Sequence, residues 1–237
     1  MTTLYITGAG VSAQSGIPTF RGSEGFWTIG SKNYTPQEMA TRQMYQEKPR
    51  EFLTWYYHRF ARYRDHGANE VHAWLANKQL ITQNIDGLDG KAGNDNYISI
   101  HGRLDQVTVF HTQGDEVARQ RAPWDDVDET CLAESLLSVF KIGSKGPQLN
   151  KSLKPYVLLF DEYYTELYQI SLAEQQMQHA SKMVFIGTSF SVNITQIALD
   201  IARRRGIPIE VVDPEPMHVL YDQVEYFQMT ALEYINR

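Results

Sequence analysis

Several short stretches of this chain place chemically competent residues directly after apolar runs. The first is Gly8-Ala9-Gly10-Val11-Ser12-Ala13, which follows Leu4–Thr7. A strand that ends in a glycine turn and enters a helix aims backbone N–H groups at one point, a geometry that receives a pyrophosphate. Glycine there also serves close packing of two backbones, and the Gly-x-Gly-x-x-Ala spacing alone leaves both readings open. The second stretch is Gln83-Asn84-Ile85-Asp86, behind Gln79–Thr82. Its amide and carboxylate suit a carboxamide ligand, and equally an Asx turn that bonds its own backbone. The third is His101-Gly102, whose imidazole suits general-base work, although a lone His also serves as a satisfied structural residue. Gly187-Thr188-Ser189 and Asp213 follow two further apolar runs. They suit phosphate or ribose hydroxyls, or simply turn the chain.

These residues share one position, the end of a strand. The strand candidates are Leu4–Thr7, Gln79–Thr82, Tyr97–Ile100, Tyr156–Phe160, Met183–Ile186 and Ile209–Val212. Helical patterns cover Glu51–Arg64, Tyr164–Ala180 and Thr195–Arg205. Short apolar strands alternating with helices indicate an α/β fold: a Rossmann-like, mostly parallel sheet with helices on both faces. Ligands of such sheets bind beyond the carboxyl ends of the strands. The larger lobe is expected over roughly 1–21, 68–105 and 155–237, and a smaller lobe from two insertions over roughly 22–67 and 106–154. An ordinary dinucleotide fold would also carry an acidic residue about 20 positions after the glycine turn, at the end of a second strand, to hold a ribose. This chain has Ser23-Glu24-Gly25-Phe26-Trp27 there, with no strand before it. The stretch from Ser15 to Trp27 reads instead as a covering loop, with Arg21 placed to reach a phosphate or a carboxylate of the fold.

Composition narrows the class. Lys and Arg total 22 against 28 Asp and Glu, a net charge of −6, which disfavours general nucleic-acid binding. No apolar run approaches the roughly 20 residues of a membrane span. The first strand starts almost at residue 1 and leaves no room for a signal peptide, so a cytoplasmic protein is expected. A single cysteine, Cys131, excludes an intramolecular disulfide and any four-cysteine zinc site.

Taken together and in order, the motifs resemble those of the sirtuins, NAD-dependent protein deacylases. Gly8–Gly22 is similar to the family's opening motif, Gln83-Asn84-Ile85-Asp86 to its Gln-Asn-(Val/Ile)-Asp, and His101-Gly102 to its His-Gly. Lys154-Pro155-Tyr156-Val157-Leu158-Leu159-Phe160-Asp161-Glu162 resembles its substrate-strand segment, and Gly187-Thr188-Ser189 its Gly-Thr-Ser. The resemblance implies that Gly8, Ala9, Gly10, Ser12, Phe20 and Arg21 line the NAD pyrophosphate and its covering loop. It implies that Asn84 and Asp86 hold the nicotinamide end, that Gln83 also binds the cofactor, and that His101 activates a ribose hydroxyl. Gly187, Thr188, Ser189 and Asp213 would then contact the phosphate and ribose side, and Val157 and Phe160 would flank the acyl-lysine. NAD would be consumed, giving nicotinamide, free lysine and O-acyl-ADP-ribose. The partner would be an acyl-lysine protein or peptide, with no direct nucleic-acid or membrane contact.

A further match bears on the acyl group. Tyr56 and Arg59 fall where the desuccinylase and demalonylase branch of sirtuins has a Tyr and an Arg. Residues three apart share a helix face, and a guanidinium with a phenol can grip a carboxylate. The bland reading is an aromatic helix packed on the core with a solvated Arg. Four departures from the family pattern stand out. The region from Thr108 to Lys154 lacks the zinc-binding cysteines, so no zinc ribbon is expected and the lobe must hold itself by packing. Asp161 replaces a Gly and adds a carboxylate expected to disfavour acidic peptides or acyl groups. Asp89 replaces a His, and Asp213 a usual Asn. Competing readings are an NAD glycohydrolase or ADP-ribosyltransferase, favoured by the lost zinc lobe and disfavoured by His101, and a non-catalytic NAD sensor.

Overall fold

The computed structural model describes residues 2–19, 34–59 and 61–237, without the side chains of Arg59 and Arg62. In chain order its strands are β1 (Thr3–Thr7), β2 (Gln79–Thr82), β3 (Ile98–Ser99), β4 (Gly102–Val109), β5 (Arg119–Arg121), β6 (Leu153–Val157), β7 (Lys182–Ile186), β8 (Ile209–Val212) and β9 (Val224–Phe227). The α-helices are α1 (Pro36–Met39), α2 (Arg42–Glu47), α3 (Pro49–Arg59), α4 (Glu70–Leu75), α5 (Leu88–Lys91), α6 (Leu132–Val139), α7 (Ile170–His179), α8 (Asn193–Arg205) and α9 (Ala231–Ile235). The chain forms two compact units: residues 1–19, 66–101 and 169–237, and residues 20–65 and 102–168.

The first unit is built on a parallel sheet in the order β3-β2-β1-β7-β8-β9. Strands β1, β2, β7 and β8 are short, apolar and mostly buried, as expected of strands covered on both faces. The chain runs outward from β1 to β3 and later resumes on the other side of β1 at β7. That reversal makes the gap between β1 and β7 a topological switch point. On one face, Val71 and Leu75 of α4 pack with Val11, Leu80, Val184, Ile186 and Val212 into a single apolar cluster. Fully burying one such side chain contributes about 1.5–3 kcal/mol.

The second unit carries a three-stranded antiparallel sheet, β5-β4-β6. The strand expected at Tyr156–Phe160 lies three residues earlier and belongs here, paired with β4. Residues 102–105 and 155–168, expected in the larger lobe, accordingly belong to this unit. Gly102 opens β4 at φ +83°, where a Cβ would stand 2.0 Å from the Tyr156 carbonyl oxygen, so only glycine fits. The unit's interior is aromatic: Tyr45, Phe52 and Tyr56 from α2 and α3, with Trp124 and Phe140 beside Leu136 of α6. The Trp124 and Phe140 rings lie 4.8 Å apart. Among the described residues no group of three or more His, Cys, Asp or Glu side chains could hold a metal ion. No described helix is long and apolar enough to cross a membrane.

The short helix α5 buries Asp89, which is 1% exposed and whose Oδ1 lacks a hydrogen-bond partner among the described residues. Burial, reinforced by the charge of Asp86, pushes this carboxyl up to about 7, against a hydrogen bond with Thr82 that lowers it. A carboxyl raised in the folded state favours the fold below its unfolded value and loses that contribution as pH climbs through 7. Asp89→Asn should therefore gain stability over the native protein at pH 8, by about 1–3 kcal/mol, with the difference shrinking toward pH 5. Urea unfolding at the two pH values tests this, and an equal difference at both would contradict it.

Candidate active site

In the first unit the strand ends converge by hydrogen bonds between residues far apart in sequence. β1 leads through Gly8 into the expected helix start, which is a 3-10 segment, Ala9–Ser15, and Gly16 stops it at φ 78°. The Gly8 and Gly10 N–H groups donate to the carbonyls of Ile186 and Gly187, each at 3.0 Å. A Cβ on Gly10 would lie 2.6 Å from the Gly187 Cα, and one on Gly187 2.6 Å from the Gly10 Cα. These glycines thus serve the close approach of two backbones. The packing reading of the motif holds, and it brings the β1 and β7 loops together at the switch point.

Past β2, Gln83 Nε2 donates to Thr188 Oγ1 at 3.0 Å. The buried Asn84 gives its amide to the Gly8 carbonyl and to Ser12 Oγ, both at 3.1 Å. Ser12 Oγ donates to Asp86 Oδ2 at 2.7 Å, while Asp86 Oδ1 accepts the Leu88 N–H at 2.9 Å. Asp86 therefore forms the Asx turn with one oxygen and a long-range contact with the other. Gln83, Asn84, Asp86, Ser12 and Thr188 form one connected network with Gly8, Gly10 and Gly187.

His101, just past β3, joins the same network. Its Nδ1 lies 3.0 Å from the Gln83 carbonyl oxygen. A carbonyl only accepts, so Nδ1 carries the proton and a neutral ring presents an unprotonated Nε2. Burial pushes the imidazole down to about 4, partly offset by the bond to Gln83, which keeps it neutral at pH 7. Ser189 and Asp213 sit at the same end of the sheet but in local turns. Ser189 Oγ pairs with Ser191 Oγ at 2.6 Å, and Asp213 Oδ1 accepts the Glu215 N–H at 2.9 Å. Phe20 and Arg21 lie outside the described residues.

One residue of this network has no signal among the sequence motifs. His72, on α4, is fully buried, and its Nε2 is 3.4 Å from Ser12 Oγ. The visible hint is Asn69, three residues earlier, which caps α4 through the Val71 and His72 N–H groups.

In the second unit, Val157 ends β6 and is buried, whereas Phe160 is 53% exposed. Tyr56 is 2% exposed and packs on Phe52 and Trp55 at ring separations of 4.7 and 5.0 Å. Burial, followed by the charges of Glu162 and Asp161, raises its phenol well above the usual value, so it stays a neutral donor. The Arg59 side chain lies outside those described. Asp161, the added carboxylate expected near the substrate strand, accepts the Arg42 and Gln43 N–H groups at 2.6 and 3.0 Å. Beside it Glu162 accepts from Lys154 and from Arg42, each at 3.1 Å, and from the Leu159 N–H at 3.1 Å. The turn after β6 is thereby fastened to α2.

The sequence model of the Sir2 family matches residues 8–194. The chain is 30% identical over 239 residues to NAD-dependent protein deacylase 1 of Caldanaerobacter subterraneus subsp. tengcongensis, covering 98% of this chain and 90% of that one. It is 30% identical over 220 residues to an NAD-dependent protein deacylase of Leptospira interrogans, covering 89% and 80%. Among solved structures, a Sir2 homologue in complex with ADP-ribose aligns with TM-score 0.77 and 27% identity, over 99% of this chain and 89% of that one. A Sir2 homologue bound to NAD aligns with TM-score 0.73 and 27% identity, over 99% and 86%. The chain belongs to the Sir2 family, the sirtuins.

Proposed function

We propose that this protein is an NAD-dependent protein-lysine deacylase that transfers the acyl group to ADP-ribose. The observation that carries the reading is the imidazole of His101, held by the Gln83 carbonyl in the tautomer that leaves Nε2 to accept a proton. NAD, when bound, supplies the ribose and the nicotinamide bond that is broken. Asn84 and Asp86 are assigned to the carboxamide: Asn84 Oδ1 and the Asp86 carboxylate are acceptors suited to its N–H groups. Gly8, Ala9, Gly10, Ser12, Phe20 and Arg21 are assigned to the pyrophosphate side, and Gly187, Thr188, Ser189 and Asp213 to the phosphate and ribose side. His101 would accept a proton from a ribose hydroxyl, so that the acyl carbon could exchange its bond to the lysine nitrogen for one to that oxygen. NAD, acyl-lysine and one water would give nicotinamide, free lysine and O-acyl-ADP-ribose.

The second unit supplies the residues assigned to the acyl-lysine, Val157 and Phe160. Tyr56 and Arg59 support a preference for succinyl or malonyl lysine, because both lie on α3 one helical turn apart. The neutral phenol of Tyr56 is a donor suited to a terminal carboxylate, which Arg59 would pair in charge.

Mass spectrometry with NAD and an acetyl-lysine or succinyl-lysine peptide tests the reaction. Native protein should give acyl loss with O-acyl-ADP-ribose, and His101→Ala should lose about 100-fold or more of that rate. Nicotinamide release without acyl loss would replace this reading with a glycohydrolase or ADP-ribosyltransferase. Because His101 is neutral down to about pH 4, the acid limb of kcat/KM should lie below about pH 5 rather than near the ordinary histidine value. Arg59→Met should cost desuccinylation about tenfold or more while leaving deacetylation within about twofold. Equal losses would remove the acyl preference.

A further inference from the structure

After β6 the chain reverses in a β-turn from Leu159 to Glu162, closed by the Glu162 N–H on the Leu159 carbonyl at 2.9 Å. Its central residues are Phe160, which the proposed reaction assigns to the acyl-lysine, and Asp161, which that reaction leaves without a task. A carboxylate beside a substrate residue can act by charge, repelling acidic groups, or by holding its neighbour in place. What its oxygens touch separates the two. Asp161 Oδ1 accepts the Arg42 N–H at 2.6 Å, and Oδ2 accepts the Gln43 N–H at 3.0 Å. These are the first two amides of α2, which have no carbonyl partner inside the helix. Both oxygens are therefore engaged by backbone that lies 119 and 118 residues earlier in the chain.

The rest of the turn is held in the same direction. The Phe160 N–H donates to the Ala40 carbonyl at 2.9 Å, and Ala40 ends α1 just before α2 begins. Glu162 accepts from Arg42 Nη1, the first residue of α2, at 3.1 Å. Phe160 thus sits between an anchor on its own N–H and an anchor on the next side chain, with the residue 53% exposed. We infer that Asp161 is a positioning residue whose carboxylate holds the turn against α2, so that Phe160 meets neutral and acidic acyl-lysines alike from one fixed place. The inference rests on the assignment of Phe160 to the acyl-lysine. Without the carboxylate the turn can leave α2, and apparent affinity falls with the fraction of molecules that still present Phe160 correctly.

The test uses the full chain with NAD and either an acetyl-lysine or a succinyl-lysine peptide. Asp161→Ala should raise KM about tenfold for both peptides and leave kcat within about twofold. Asp161→Asn, which keeps one acceptor oxygen without the charge, should raise KM only about threefold. Phe160→Ala supplies a second arm: because Asp161 works through that residue, adding Asp161→Ala to it should change KM by less than about twofold. The ADP-ribose Kd, read by calorimetry, should stay within about twofold in every variant. A gain confined to the succinyl peptide in Asp161→Asn would show that the carboxylate acts by charge and would overturn the inference. Unchanged KM in Asp161→Ala would overturn it too. A loss that adds in full to that of Phe160→Ala, or a fall in ADP-ribose affinity, would mark a role in the fold at large and have the same effect. Native protein that removes neither acyl group with NAD would overturn the deacylase reading instead, and this inference with it.

Discussion

Two backbones meet at the switch point of the parallel sheet with no room for a side chain between them. Gly10 and Gly187 are in van der Waals contact, and a Cβ on either would overlap the other. That contact lets the loop after β1 share hydrogen bonds with the loop after β7, through Gly8 to Ile186 and Gly10 to Gly187. Gln83 then bonds Thr188, and Asn84 bonds Gly8, so the loop after β2 is fastened to both. A bulkier residue at the meeting point would part the loops and every polar contact that spans them.

The chemistry of the first unit depends on how backbone groups set two imidazoles. A carbonyl, that of Gln83, forces the proton of His101 onto Nδ1. An amide, that of Asn69, forces the proton of His72 onto Nε2. The same side chain is thereby made a proton acceptor in one place and a fixed donor in the other. Both rings are buried enough to stay neutral at pH 7, since desolvation disfavours the imidazolium. Protonation of either would put two donors face to face or strand a charge, which is costly in a medium of low dielectric.

The second unit draws its cohesion from two kinds of contact among its described residues. Aromatic packing between α3 and the Trp124–Phe140 region supplies one part. The other is a buried ionic network. Lys154 is 1% exposed and gives its ammonium to the Val157 carbonyl at 2.8 Å and to Glu162, which also receives Arg42. Desolvating such ions opposes folding unless their hydrogen bonds are complete, and here Glu162 accepts from Lys154, Arg42 and the Leu159 N–H. The arrangement holds the turn after β6 in one place, with Asp161 spanning from that turn to the first amides of α2.

Much of the first unit was legible in the chain. The runs at β1, β2, β7 and β8 are branched, apolar and short, the pattern of strands buried on both faces, and their boundaries agree with the structure within one residue. β5, with the sequence Arg-Gln-Arg and fully exposed, carries no apolar signal and exists only because β4 offers it partners. The helix expected from Tyr164 starts at Ile170, after a 3-10 turn and a left-handed Gln169. The residue types at the strand ends, and so the chemistry open to them, were set by the sequence. Whether Asn84, Asp86 and the glycines formed local turns or a shared site was decided by the tertiary structure. Spacing along a chain governs hydrogen bonds within a few residues, such as Asp86 to Leu88. The contacts from Ser12 to His72, Asn84 to Ser12 and Gln83 to Thr188 span 60, 72 and 105 residues, and only the assembled sheet brings those groups within reach of one another.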